Sequence, residues 1–181
     1  MIHGHSGQVT STLEPRARVH LENDRGLLDD VNRAILRALA EDPRLSMSAL
    51  ARVVGMSAPA VTERVQRLER AGVIRGYRLD VDPAAVGYPI GAWVRVRPAL
   101  GQGKALEQIV ARTPEVVEAH RITGEDCLLV RIQVRDVADL DRVLELWIER
   151  GSTVTAVIKT SLVEPRPVGI DASPANGNHV R

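Results

Sequence analysis

The sequence predicts an α+β chain in two parts, a helical N-terminal part followed by a sandwich of strands and helices. Between about residues 27 and 76, apolar residues recur at three- and four-residue spacing, the period of a helix with one buried face. From residue 90 onward the spacing switches between two and 3.6, as it does when strands alternate with helices. Gly87-Tyr88-Pro89 stands between the two regimes and reads as a hinge.

Bulk properties set outer bounds. A chain of 181 residues holds one large domain or two small ones, and either buries a core. Apolar residues make up 44%, but aromatics only 2% with no Phe, so the core has to be built from Leu, Val, Ile and Ala. A net charge of +1 neither demands nor excludes a polyanionic partner, because DNA binders often carry their positive charge locally. Cys127 is the single cysteine, which excludes an internal disulfide and a thiolate metal cluster within one chain. No apolar run approaches the roughly 20 residues of a membrane span, and the first residues lack a signal-peptide core. The expectation is a soluble, cytoplasmic protein with no cofactor, no metal and no membrane partner.

The elements follow in order. Residues 1–25 are polar and aperiodic and read as a flexible tail, although Arg16, Arg18 and Arg25 offer contacts to phosphates. Leu28, Val31, Ile35, Leu36 and Leu39 mark the apolar face of a first helix, closed by Pro43. Ser46 caps a second helix carrying Leu50, Ala51 and Val54, and Gly55 ends it. Ser57 caps a third, which tolerates Pro59 in its first turn and runs to about Ala71, where Gly72 stops it. Val73-Ile74 and then residues 77–81 suit a wing strand, and Asp82-Pro83 a turn. The N-terminal domain is placed at 26–82 and the hinge at 83–89.

Residues 90–164 form the second domain. Ile90, Ala92, Val94 and Val96 line one side of a strand and Gly91, Trp93, Arg95 and Arg97 the other. A helix with Leu106, Ile109 and Val110 ends near Pro114, strands follow at 116–122 and 127–134, then a helix with Leu140, Val143, Leu144 and Trp147, and a last strand at 153–163. The order β-α-β-β-α-β is that of a ferredoxin-like sandwich with helices on one face of an antiparallel sheet. Apolar groups on both sides of the first and last strands imply an uncovered apolar face, hence a dimer or larger assembly. Residues 165–181, rich in Pro, Gly and Asn, read as a flexible C-terminal tail. His3, His5 and His179 are too scattered for a metal site, and His120 and both tryptophans read as surface, core or interface groups.

Two short helices joined by Val54-Gly55-Met56-Ser57 constitute a helix-turn-helix. At about 100° per residue, Val61, Val65 and Leu68 share the core side of the third helix. Pro59, Thr62, Glu63, Gln66, Arg67 and Arg70 fall opposite, with the donors and acceptors that base edges and phosphates require. Together with Ser57 and Ala58 at the helix start, and Arg75 and Arg78 on the wing, they are the candidate contacts to double-stranded DNA. Arg64, beside the core side, has two readings: an ion pair with the first helix, or a phosphate contact.

These residues resemble the leucine-responsive and asparagine-responsive (Lrp/AsnC) regulators. The resemblance runs from Leu28-Asp29 and Ile35-Leu36 through Arg44-Leu45-Ser46, Leu50-Ala51, Ser57, Val61, Arg64-Val65 and Leu68-Glu69. It continues in Gly72-Val73-Ile74, Gly76-Tyr77, Asp82-Pro83 and Gly87-Tyr88, and resumes in Thr123-Gly124-Glu125-Asp126-Cys127-Leu128-Leu129. It implies a winged helix-turn-helix regulator of amino-acid metabolism, dimeric through its second domain and assembling further to octamers. It also implies a small effector, usually an amino acid, bound near the Thr123, Gly124, Glu125 and Asp126 loop. Without a ligand, the same four residues form an ordinary tight turn. Asn32 and Ile158 depart from the family pattern, which has Asp and commonly Thr there.

Two other classes share these features. Siroheme decarboxylases have a similar architecture, but only His20 and His120 lie outside the distal tails and aromatics are scarce. An architectural, nucleoid-type DNA binder without an effector fits the same helices. No nucleophilic triad, P-loop or paired-carboxylate site is present in the sequence, so an enzyme is not expected.

Overall fold

The computed structural model describes residues 27–170, which divide into two compact units: 27–79 with 164–170, and 80–163. Readings that fell on 1–26 and 171–181, including the tail arginines, His3, His5, His20 and His179, lie outside the described residues.

The first unit packs α1 (Asp30–Glu41), α2 (Met47–Val54) and α3 (Ala58–Arg70). Each starts where a short polar side chain satisfies a free N–H of the first turn. Asp29 accepts from the Asn32 N–H at 2.7 Å, Ser46 from Ala49 at 3.1 Å and Ser57 from Ala60 at 3.4 Å. Leu27, Ile35, Leu39, Leu50, Val61, Val65 and Leu68 meet in the core. Each such side chain contributes about 1.5–3 kcal/mol by leaving water. Gly55 takes the left-handed conformation (φ 68°, ψ 32°) that turns the chain between α2 and α3, at no steric cost to glycine. Behind α3, Val73 and Ile74 fold back, both donating their N–H to the Leu68 carbonyl.

The expected wing strand at 77–81 does not form a ladder. The segment has no neighbouring strand, and Leu79 at 88% exposure shows that it has no buried face. It is tethered instead by Tyr77, whose hydroxyl donates to Glu69 Oε1 at 3.2 Å. At the other end, Arg33 Nη1 donates to the Ile170 carbonyl at 2.7 Å, so the described start of the expected C-terminal tail is held on α1.

The second unit runs β1 (Ile90–Pro98), α4 (Gly103–Arg112), β2 (Val116–Arg121), β3 (Leu128–Val134), α5 (Val137–Ile148) and β4 (Gly151–Val157). The sheet has order β2-β3-β1-β4 with antiparallel neighbours, the expected βαββαβ sandwich. Ala92, Val94 and Val96 of β1 and Leu128, Val130, Ile132 and Val134 of β3 face α4 and α5, where Leu106, Val110, Leu140, Val143 and Trp147 close the core. Asp139, at the start of α5, is buried between the guanidinium groups of Arg135 and Arg142.

Two expectations need correction. The last strand ends at Val157 rather than at 163. Its partner β1 begins at Ile90, so after the Ile158 N–H bonds the Gly91 carbonyl at 2.8 Å the ladder runs out of partner. The sheet's outer face is also not uniformly apolar. Register places Trp93, Leu129, Val154 and Ala156 there, interleaved with Arg95, Arg97, Arg131, Gln133, Glu118 and His120.

Candidate DNA-reading helix and effector loop

Helix α3 is anchored on one side and open on the other. Val61 and Leu68 are fully buried and Val65 nearly so, while Pro59, Glu63, Gln66, Arg67 and Arg70 are exposed. Thr62 is half-buried and its hydroxyl donates to the Ala58 carbonyl at 2.8 Å, which fixes its rotamer and leaves its oxygen free to accept. Ser57 is exposed and Ala58 half-buried at the N-terminal end, where unpaired N–H groups and the helix dipole favour an anion such as a phosphate. Arg75 and Arg78 are exposed on the wing segment beyond. Ser57, Pro59, Glu63, Gln66, Arg67 and Arg70 thus share the open side of one element, and the wing arginines follow it directly in the chain.

Arg64 is resolved in favour of the first helix. Its Nη1 donates to Asp29 Oδ2 at 2.7 Å and to Asn32 Oδ1 at 3.0 Å. Asn32 completes the arrangement by donating from Nδ2 to the Leu27 carbonyl at 2.7 Å, a bond that an ionised Asp at this position could not make. Partial burial pushes the Asp29 carboxyl up. The Asn32 N–H and the Arg64 guanidinium outweigh that and hold it below the ordinary range. The wing tether has its own electrostatics: burial, with the Glu69 carboxylate alongside, raises the Tyr77 hydroxyl.

In the second unit, residues 123–126 connect β2 to β3, closed by the Ile122 N–H on the Cys127 carbonyl at 3.0 Å. Gly124 holds φ at 111°, a conformation that side chains disfavour, and a Cβ there would meet nothing within 4 Å. Thr123 is exposed. The two acids are already engaged: Glu125 Oε2 accepts from Arg97 Nη2 at 2.5 Å, and Asp126 lies 3.6 Å from Nε of both Arg95 and Arg97. Those arginines were legible as the outer side of the first strand, but their convergence on the loop depends on β1–β3 register, which spacing does not reveal. A ligand ammonium here has to compete with two guanidinium groups, whereas a ligand carboxylate is attracted by them. His120 pairs with Glu118 at 2.6 Å on the sheet surface. Among the described residues, no group of three or more His, Cys, Asp or Glu is placed to hold a metal.

Comparison with known proteins matches both units. The family description "Winged helix-turn-helix DNA-binding" fits residues 28–75, and "Lrp/AsnC ligand binding domain" fits residues 91–167. The HTH-type transcriptional regulator AldR of Mycolicibacterium smegmatis is 35% identical over 139 residues, covering 75% of this chain and 81% of that one. LrpC of Bacillus subtilis, also an HTH-type transcriptional regulator, is 30% identical over 131 residues, covering 72% and 91%. The solved structure of B. subtilis LrpC superposes with a TM-score of 0.72 at 28% identity, covering 76% of this chain and 98% of that one.

Proposed function

This chain is a DNA-binding transcriptional regulator of the Lrp/AsnC family, and from that premise we propose that the open side of α3 reads base edges while the wing grips the backbone. The observation that carries the proposal is the division of α3 into a buried row, Val61, Val65 and Leu68, and an exposed polar row that includes Gln66, Arg67 and Arg70. Ser57, Ala58 and Pro59 lead the helix into the major groove, Thr62, Glu63 and Gln66 face bases, and Arg67, Arg70, Arg75 and Arg78 neutralise phosphates. The second unit receives a small effector, an amino acid or related metabolite, with Thr123, Gly124, Glu125 and Asp126 at its contact. Two copies pair through the outer sheet face around Trp93, Leu129 and Val154, giving two-fold symmetric half-sites, and pairs assemble to octamers. No helix among the described residues is long and apolar enough to cross a membrane, and a reader of genomic DNA works in the cytoplasm.

Footprinting on fragments of host DNA, with and without an amino-acid mixture, tests this reading. The expected result is protection of two-fold symmetric sites that changes with the mixture. Protection with no sequence preference and no response to amino acids supports the architectural reading instead. One observation favours that alternative: the acids of the 123–126 loop already carry their own arginines.

A further inference from the structure

The end of the described chain returns to its beginning. Residues 80–163 make up the second unit, but residues 164–170 group with the helical unit. Arg33 of α1 makes the contact and acts as a two-pronged clamp. Its Nη1 donates to the Ile170 carbonyl at 2.7 Å and its Nε to the Leu28 carbonyl at 3.1 Å. Residues 161–169 are exposed, and burial begins only at Ile170. The family description fitted to the second unit ends at residue 167, so the point of contact lies past it.

What Arg33 grips decides the consequence. Leu28 precedes the Asp29 cap, and Leu27 before it is buried in the helical core. Asn32, the neighbour of Arg33 in α1, donates to the Leu27 carbonyl at 2.7 Å and accepts from Arg64 of α3 at 3.0 Å. Ile170, Arg33, the 27–28 backbone, Asn32 and Arg64 are therefore joined in one hydrogen-bonded series that runs from the C-terminal segment to α3. A guanidinium donating to a carbonyl makes a charge-assisted bond, stronger than a neutral one.

The segment is built to dock weakly. Pro165 and Pro167 fix φ at about −65°, which keeps the segment out of a helix and reduces the freedom lost on docking. Its other residues still have to be ordered, and the Arg33 bond with the half-buried Ile170 offsets that cost narrowly. Such a balance populates both docked and released states.

We propose that residues 164–170 are a C-terminal arm that docks on the start of α1 and, through Arg33, steadies the anchor by which α1 holds α3. With the arm docked, α3 is held for DNA; with the arm released, the 27–28 backbone and the Arg64 anchor loosen and affinity falls. This rests on the reading that α3 meets DNA.

The test compares the full chain with a chain ending at Val163, with Arg33→Leu, and with both changes together. DNA titrations at several salt concentrations and thermal unfolding followed by the helical far-ultraviolet signal are run on each. The truncation and Arg33→Leu should each weaken DNA binding roughly three- to ten-fold at unchanged salt slope, and the combination should be no worse than Arg33→Leu alone. The variant Pro165→Gly with Pro167→Gly keeps every contact but makes docking costlier, so it should show a smaller loss of the same kind. Full affinity and an unchanged melting temperature in the truncated chain overturn the proposal. Additive losses overturn it as well, because Arg33 then acts on Leu28 alone. A salt slope that falls on truncation but not in Arg33→Leu also overturns it, by making the removed residues direct phosphate contacts. Gln66→Ala, run alongside, keeps the two ideas apart: parental binding by that variant refutes the reading of α3, whereas the arm is judged by the truncated and proline variants.

Discussion

Arg64 and Asp29 face each other at 2.7 Å, so a guanidinium on α3 is committed to the N-cap of α1. The pair ties α3 to the start of α1, which should fix how α3 presents its open side. Because the two side chains are 32% and 39% exposed, solvent screens much of the attraction, and the coupling should be about 0.5–1 kcal/mol. A double-mutant cycle of Arg64→Ala and Asp29→Asn on thermal unfolding measures it; a coupling of zero removes the positioning role. Arg64→Ala should weaken DNA binding without changing its salt slope.

Base reading and phosphate gripping separate by different signatures. Gln66→Ala should cost about 1–3 kcal/mol at a preferred site and little elsewhere. Arg70→Ala should weaken every sequence and reduce the magnitude of the salt slope by about one. Titrations at several salt concentrations decide this, and variants that match the parent on all DNAs would refute the orientation of α3.

The 123–126 loop tests backbone strain rather than packing. A Cβ at Gly124 has open space around it, so Gly124→Ala should destabilise only through its φ of 111°, by about 1–3 kcal/mol. Thermal unfolding should register this loss while DNA affinity in the absence of effector stays that of the parent. A neutral result would mean that the loop relaxes.

Trp147 carries a cost in the second core. It is fully buried and its Nε1–H has no partner among the described residues. Trp147→Phe removes the open donor but leaves a void, so the net change should stay within about 1.5 kcal/mol. Trp147→Ala should cost about 3–5 kcal/mol. Chemical denaturation separates these outcomes, and a large loss for Phe would reveal a partner for the indole.

Acid should expose the Asp139 cluster. Hydrogen bonds from Arg135 and then Arg142 hold its carboxyl well below the carboxylate range, against the opposing effect of burial. A group whose folded value is depressed stabilises fully above its unfolded value, about 3.9, and that contribution fades as pH falls toward the folded value. Asp139→Asn should therefore lower the melting temperature at pH 7, and the difference from the parent should shrink below about pH 4. A difference independent of pH would assign the loss to packing.

The helices and their caps were legible because the signals are local. Ser46, Gly55 and Ser57 act within one turn, and the spacing of Val61, Val65 and Leu68 is a property of α3 alone. The inner face of β1 followed from alternation for the same reason. What the sequence hid depends on partners distant in the chain. The strand expected at 77–81 lacked a neighbour, and β4 stopped where β1 begins. The choice for Arg64 turned on residues 32 and 35 positions away. The pairing of Arg95 and Arg97 with Glu125 and Asp126 follows from strand register.

The placement of the two indoles gives the molecule its own optical reporter. Trp93 lies half-buried on the outer sheet face and Trp147 lies in the core behind it, and these are the only tryptophans in the chain. The helical unit that reads DNA has none, so its melting is silent in indole emission and is followed instead through the far-ultraviolet signal of its helices. A red edge that shifts on dilution reports on Trp93 and the face around it. Total intensity lost on heating reports on the packing of Trp147. Recording both signals during one thermal ramp resolves whether the two units unfold together or in sequence, with no label and no substitution.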